Sequence, residues 1–582
     1  MPASALDRIP GGYEALAAAV AVRRRVGLEW RAARPYHWLI SYPAPEGLGA
    51  SPKDLRPADP EGGRRILAGG FLLGGESLAP GVRGDPWDRP APSRRFAEAL
   101  HGFVWMRDLC AVGEGGAWEG LRLTLAWRRL FGRWNRFAWD APVVERRVFN
   151  LACALGSLCE PASDAEAAEL TADLARQARF LLDVGGDPAR AAERAAAAAV
   201  AGAALGGEAG EQLLERALAL LSRRLPRALS PEGGHASRSP QAALELYFDL
   251  STLDEALAQR GRGPPEAMAR ALDQLAGAVR FFTLADGRLA AFQGGEAPDA
   301  PYVAAARAQD DLETRAAPAS LNGFHRLQSR ALQVIVDAAS PARGAWSGAA
   351  CAQPLAFELL AGGRRLITGA GWSPPSHAPQ ALRLVDAGST LSVGEASCGA
   401  PLAGFAARQL GPRLRDAYDA REVLRHEASG AVWIELEHDG WLRRFGFLHE
   451  RRLYLDREAE ELRGEDRLVP VARRGGPEGR RFTPFVIRFH LAPQVSALIA
   501  RDGRSVLIKA EGEETGWWLR HDAQETALEP SVQHQAGQVR HGEQIVLRGQ
   551  ARLDGGAKVR WKLSAAHSLS EPARVDAAEV PA

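Results

Sequence analysis

The 582-residue chain is poor in several residue types, and each shortage excludes something. Its five cysteines (Cys110, Cys153, Cys159, Cys351 and Cys398) are too few and too scattered for a disulfide framework, and none forms a C-x-x-C pair. They read as reduced, mostly buried thiols. Lysine is almost absent: Lys53, Lys509, Lys558 and Lys562 are the only four among 72 cationic residues, so ionic recognition rests on the planar fork of arginine. Charge of one sign is lacking too. The 72 cations meet 71 acids, which removes any global attraction to nucleic acid or an anionic membrane and leaves an anionic ligand to a local patch. No segment approaches the roughly 18 unbroken apolar residues that cross a bilayer. The weakly apolar Leu16–Val22 precedes Arg23-Arg24-Arg25, the reverse of a secretory signal, so the expected location is cytoplasmic.

What is present changes character near residue 315. From Phe96 to Phe282, Ala, Leu and Arg recur with a helical period in blocks such as Ala141–Cys159, Asp164–Leu182, Gly210–Leu229, Pro240–Gln259 and Pro265–Phe282. Gly or Pro separates the blocks, as at Gly185-Gly186 and Gly206-Gly207. Antiparallel helices with short connections and no fixed-length repeat predict an incomplete (α/α) toroid over residues 96–315. Beyond Ala316 the pattern becomes short alternating segments separated by turns such as His438-Asp439-Gly440 and Arg501-Asp502-Gly503, which predicts an antiparallel β-sandwich over residues 316–582. Residues 1–95, rich in Pro and turn residues, are expected to wrap irregularly over the helical body.

Two clusters concentrate polar chemistry. In Gly233-Gly234-His235-Ala236-Ser237-Arg238-Ser239-Pro240, polar groups gather at a helix N-terminus, which suits an anion such as a carboxylate; the plainer alternative is that Ser239 caps the helix. The second, Ser320-Leu321-Asn322-Gly323-Phe324-His325-Arg326-Leu327, lies where the helical half meets the sheet half, a common place for a ligand cleft; its plainer reading is a junction loop whose Asn and His satisfy backbone groups. His438, Asp439 and His449 lack a recognised metal-ligand spacing, so no cofactor is expected, a structural divalent metal being the minor alternative.

In order and spacing these segments resemble the heparinase II/III-like family, polysaccharide lyases with an (α/α) toroid and an antiparallel β-sandwich. The resemblance rests on Gly233-Gly234-His235 through Ser239-Pro240, Asn322 through Leu327, Leu355-Ala356-Phe357-Glu358, Ser389-Thr390-Leu391, Gly464-Glu465-Asp466 and Phe482 through His490. It implies β-elimination of a uronic-acid polysaccharide, in which a sugar carboxylate is neutralised, a base takes the C5 proton and an acid protonates the leaving oxygen. His235 and Tyr418 are the candidate catalytic residues, and Arg238, Asn322, His325 and Arg326 the candidate substrate-binding ones. The implied partner is an acidic polysaccharide or oligosaccharide, with no nucleic acid and no transmembrane segment; nothing speaks to an oligomeric state. The family pattern also implies a periplasmic location as the alternative to a cytoplasmic one. Four places depart from it: Asp187-Pro188 stands where Asn-His is usual, Ala242 where a Tyr is usual, Gly388 where a His is usual, and Cys351 or its neighbours where a further His is usual. These departures make a catalytically inactive carbohydrate-binding protein of surface polysaccharide assembly or processing the alternative function.

Overall fold

The computed structural model describes residue 9 and residues 11–310, 317–376, 378–471, 482–535 and 538–566. The helical half is an antiparallel array from Arg94–His101 to Ala300–Arg307. At its centre lies Ala191–Ala204, nearly every residue of which is buried. Alanine and glycine are needed there because the neighbours come close: a Cβ on Gly202 would sit 2.6 Å from the backbone nitrogen of Leu214. Side-chain caps fix the helix starts, with Ser163 and Glu166 forming a reciprocal capping box and Ser239 accepting from the Ala242 amide.

The second half is a sandwich of two antiparallel sheets. One runs in the order Ala420–Glu427, Ala431–His438, Phe447–Asp456, Glu461–Pro470, Ala557–Ala565, Trp517–His521, Ser505–Ala510, Val495–Ile499. The other runs from Glu525–Gln535 through Gln538–Arg552, Phe482–Leu491, Arg364–Thr368, Phe357–Ala361, Leu332–Asp337 and Phe324–Gln328 to Ser320–Leu321, with Leu391–Val393 also paired to Phe482–Leu491. Strict alternation such as that of Phe447–Asp456 sends every second side chain inward. Phe357 of one sheet stacks on Trp561 of the other at 5.6 Å and 8°.

The halves share an apolar seam. Phe324 packs against Phe282 and Phe292, and Leu321, Ile335, Ala356 and Leu360 of the sheet half belong to the core of the helical half. The N-terminal residues differ from the irregular wrap expected of them. Gly12–Ala32 and Arg34–Ser41 are helices, the first docked on the sandwich-side helix Gly404–Leu410 through Tyr13, Leu16, Ala17 and Val20. Those four lie at i, i+3, i+4 and i+7, a helical stripe that the surrounding arginines and alanines dilute. The following stretch does cross the helical body. Arg56 reaches its interior, donating to Glu245 and, at 2.7 Å, to Asp249.

Candidate functional site

His235 sits in the turn before helix Pro240–Gln259 and is buried. Its Nδ1 accepts from the Ser237 amide at 3.2 Å and lies 2.6 Å from the Ser237 hydroxyl. That places the ring proton on Nε2, which faces Glu193 Oε1 at 3.5 Å with the edge of Trp346 against the ring. Burial opposes ionisation of Glu193, but Arg190 and His235 outweigh it and hold this carboxyl down at about 2. Neighbouring Glu145 goes the other way, raised chiefly by burial. His235 is thus turned into a buried ionic network rather than toward solvent.

Arg238, held at φ 65°, uses all five of its N–H groups on the protein. Nε donates to the Asn322 carbonyl (3.1 Å), Nη1 to Ala339 (3.1 Å) and Ser340 (3.0 Å), and Nη2 to Gly323 (3.2 Å) and to Asp337 Oδ1 (2.5 Å). The guanidinium lies 4.5 Å over the Phe324 ring. Asn322 completes the join by donating from Nδ2 to the His235 carbonyl at 2.9 Å. His235, Arg238 and Asn322 therefore come together, as a latch between the two halves.

Strand alternation separates the other two. Arg326 points to the helical half and donates to the Phe281 (2.7 Å) and Thr283 (2.9 Å) carbonyls at the end of helix Glu266–Phe282. His325 points the opposite way, 2.9 Å from Glu422, and burial, with Arg425 adding to it, pushes its pKa down to about 4. Tyr418 is part of the sandwich core, packed on His438 at 5.5 Å. Its hydroxyl is buried without a hydrogen-bond partner among the described residues, and burial raises its pKa well above the usual value. These six residues do not converge on one solvent-facing site; the grouping by sequence put together side chains that face different layers.

The sandwich also buries a directional chain. The Gly440 amide donates to His438 Nδ1, His438 Nε2 lies 2.9 Å from His449 Nδ1, and His449 Nε2 lies 2.8 Å from Asp466. Asp466 further accepts from Arg451 (2.7 Å) and Trp561 (3.0 Å). Burial would raise this carboxyl, but Arg451 and His449 outweigh it and hold it below the ordinary range. The imidazole nitrogens are engaged with each other and with Asp466, and no group of three or more potential metal ligands occurs among the described residues.

A cleft of about 820 Å³ opens where the N-terminal helix crosses between the helical body and helix Gly404–Leu410. Arg23, Arg24, Arg31, Arg194, Arg224 and Arg413 line it, opposed by Asp183, which pairs with Arg216, and Asp187. Asp187 caps the short turn Pro188–Arg190 by accepting from the Ala189 amide. Sequence reasoning missed this convergence because its arginines come from four separate segments. The Arg23-Arg24-Arg25 run was the one local signal.

Residues 313–562 match the model of the heparinase II/III-like C-terminal domain. The chain is 49% identical over 566 residues to FtsZ-localized protein C of Caulobacter vibrioides, covering 96% of this chain and 97% of that protein. It belongs to the heparinase II/III-like family, in the group of FtsZ-localized protein C. Solved heparinases share the fold of this family member. Heparinase III superposes with a TM-score of 0.63 at 13% identity, over 83% of this chain and 79% of that one. Heparan sulfate lyase HepC from Pedobacter heparinus gives 0.54 at 14% identity, over 91% and 87%. At such identities the likeness concerns the scaffold, and chemistry has to be argued from side chains.

Proposed function

We propose that this protein works with the FtsZ-based division machinery as a heparinase-fold binding protein, without β-elimination. Arg238 carries the reading: the residue best placed to grip a sugar carboxylate has every donor engaged within the protein. Identity to FtsZ-localized protein C along nearly the whole length supports the cellular setting, and with it a cytoplasmic location. Binding of this kind calls on no cofactor. A fluorescent fusion should co-localise with FtsZ in dividing cells, and the purified protein should give no ultraviolet absorbance of unsaturated uronate from alginate, heparan sulfate or bacterial exopolysaccharides. Turnover that His235→Ala abolishes would overturn the proposal.

A second reading, lyase action on an acidic polysaccharide, is favoured by the arginine-lined cleft beside Asp187. It requires turnover in the same assay, lowered when Arg224 or Arg413 is replaced by Glu.

A further inference from the structure

The cleft's guanidiniums have few partners. Among the described residues, the guanidiniums of Arg23, Arg31, Arg224 and Arg413 make no hydrogen bond or ion pair, that of Arg24 donates to the Arg408 carbonyl at 3.3 Å, and that of Arg194 donates to the Asp187 carbonyl at 3.0 Å. Arg194 is buried and already has Glu145, Glu193 and Asp187 beside it. The other five cations face one another across a cleft in which, among the described residues, Asp187 is the one lining carboxylate not paired to arginine. Like charges at this density repel, and an anion between them removes the repulsion.

Apolar side chains interleave with the arginines: Val20, Val26 and Trp30 from the N-terminal helix, and Leu181, Leu220 and Leu410 opposite. Val26 and Trp30 are 65% and 54% exposed, so apolar surface at the mouth is left uncovered. A sugar polymer offers charge without apolar side chains. A peptide alternating carboxylates with apolar residues offers both.

One wall of the cleft is weakly held. The N-terminal helix docks on Gly404–Leu410 through a small cluster, Tyr13, Leu16, Ala17 and Val20 against Leu402, Ala406, Ala407 and Leu410, separate from both main cores. A helix with so few buried contacts opens readily.

We infer that this cleft binds an acidic peptide segment bearing apolar side chains, and that its binding clamps the N-terminal helix onto the sandwich-side helix. Binding supplies the carboxylates that neutralise Arg23, Arg24 and Arg31 on the helix against Arg224 and Arg413 opposite, so occupancy of the cleft and docking of the helix reinforce each other. The inference rests on the non-catalytic reading, since a lyase would need the same cleft for its sugar.

The test uses the full chain and a fluorescent peptide of alternating Glu and Leu, with an oligo-Glu peptide and a heparan sulfate oligosaccharide as separate arms. The Glu-Leu peptide should bind at least tenfold more tightly than either alternative, and its affinity should fall steeply with salt. Arg224→Glu with Arg413→Glu should weaken it by tenfold or more. Leu16→Ser, an uncharged change in the docking cluster outside the cleft lining, should weaken it by loosening the helix. Hydrogen exchange over residues 12–32 should slow when the peptide is bound. Unchanged exchange at saturation, undiminished binding by the charge-reversed protein, or preference for the oligosaccharide without turnover would overturn this inference alone. Turnover of the oligosaccharide would overturn the non-catalytic reading with it.

Discussion

Replacing Arg238 with alanine tests whether the seam between the halves is a latch or a ligand site. Arg238 and Asp337 are a buried pair with side-chain exposures of 7% and 1%. Breaking such a pair from one side costs about 3–5 kcal/mol, because the remaining charge stays buried. Asp337 keeps the Gln293 amide at 2.7 Å, which moves the expectation to the lower part of that range. Four carbonyls, of Asn322, Gly323, Ala339 and Ser340, lose a donor at once, and the contact with Phe324 adds roughly 0.5–1 kcal/mol. The expected loss is about 4 kcal/mol. Because the chain has two large cores, calorimetry is the suitable assay: the helical and sheet transitions should move apart rather than shift as one. The double variant Arg238→Ala/Asp337→Ala should be less destabilised than the two singles added together. A change below about 0.5 kcal/mol, the size expected of an exposed surface substitution, would refute the latch and return Arg238 to ligand binding.

Four buried histidines set a pH dependence. Burial pushes His101, His325, His490 and His521 down to about 4, so each is neutral when folded and takes up a proton on unfolding below about 6.5. Their contribution is full above that value and is lost as pH falls toward 4, on the order of 3 kcal/mol per group at most, and urea midpoints should fall over that window. His490→Gln should flatten the dependence; a midpoint independent of pH between 6.5 and 4 would contradict the assignment. Gly464→Ala would place a Cβ 2.1 Å from Trp561 Cζ2, beneath the ring that stacks on Phe357 and bonds Asp466, and should cost about 1–3 kcal/mol by thermal melt. Combining it with Trp561→Leu should be milder than the sum of the two. Arg326→Ala should lower stability by about 1–3 kcal/mol in chemical denaturation through the uncapped end of helix Glu266–Phe282, with no change in anion affinity.

Fold class was legible because both periodicities are strong where a single face is buried. Phe447–Asp456 alternates along its whole length, and the helix starts carry Ser or Asp caps that can be read directly. The N-terminal helix was not legible as a helix. Its apolar stripe is four residues long and finds its partner nearly four hundred positions away. The site was harder still. His325 and Arg326 are adjacent in the chain, yet a strand turns adjacent side chains to opposite faces, toward Glu422 in one case and the Phe281 carbonyl in the other.

The sequence by itself determined the order of a helical half and a sheet half, the caps that start helices, and the departures at Asp187, Ala242 and Gly388. Periodicity and capping are local, so short windows of residues suffice to fix them. Tertiary structure alone decided what the polar groups do. A guanidinium in a polar loop is equally suited to a substrate carboxylate and to five protein oxygens, and Arg238 meets the latter because the Asn322 and Ala339 loops close over it. The same is true of the cleft. Arg31, Arg194, Arg224 and Arg413 come to line one cleft only when four distant segments fold to face one another, since charge converges in space and not along the chain.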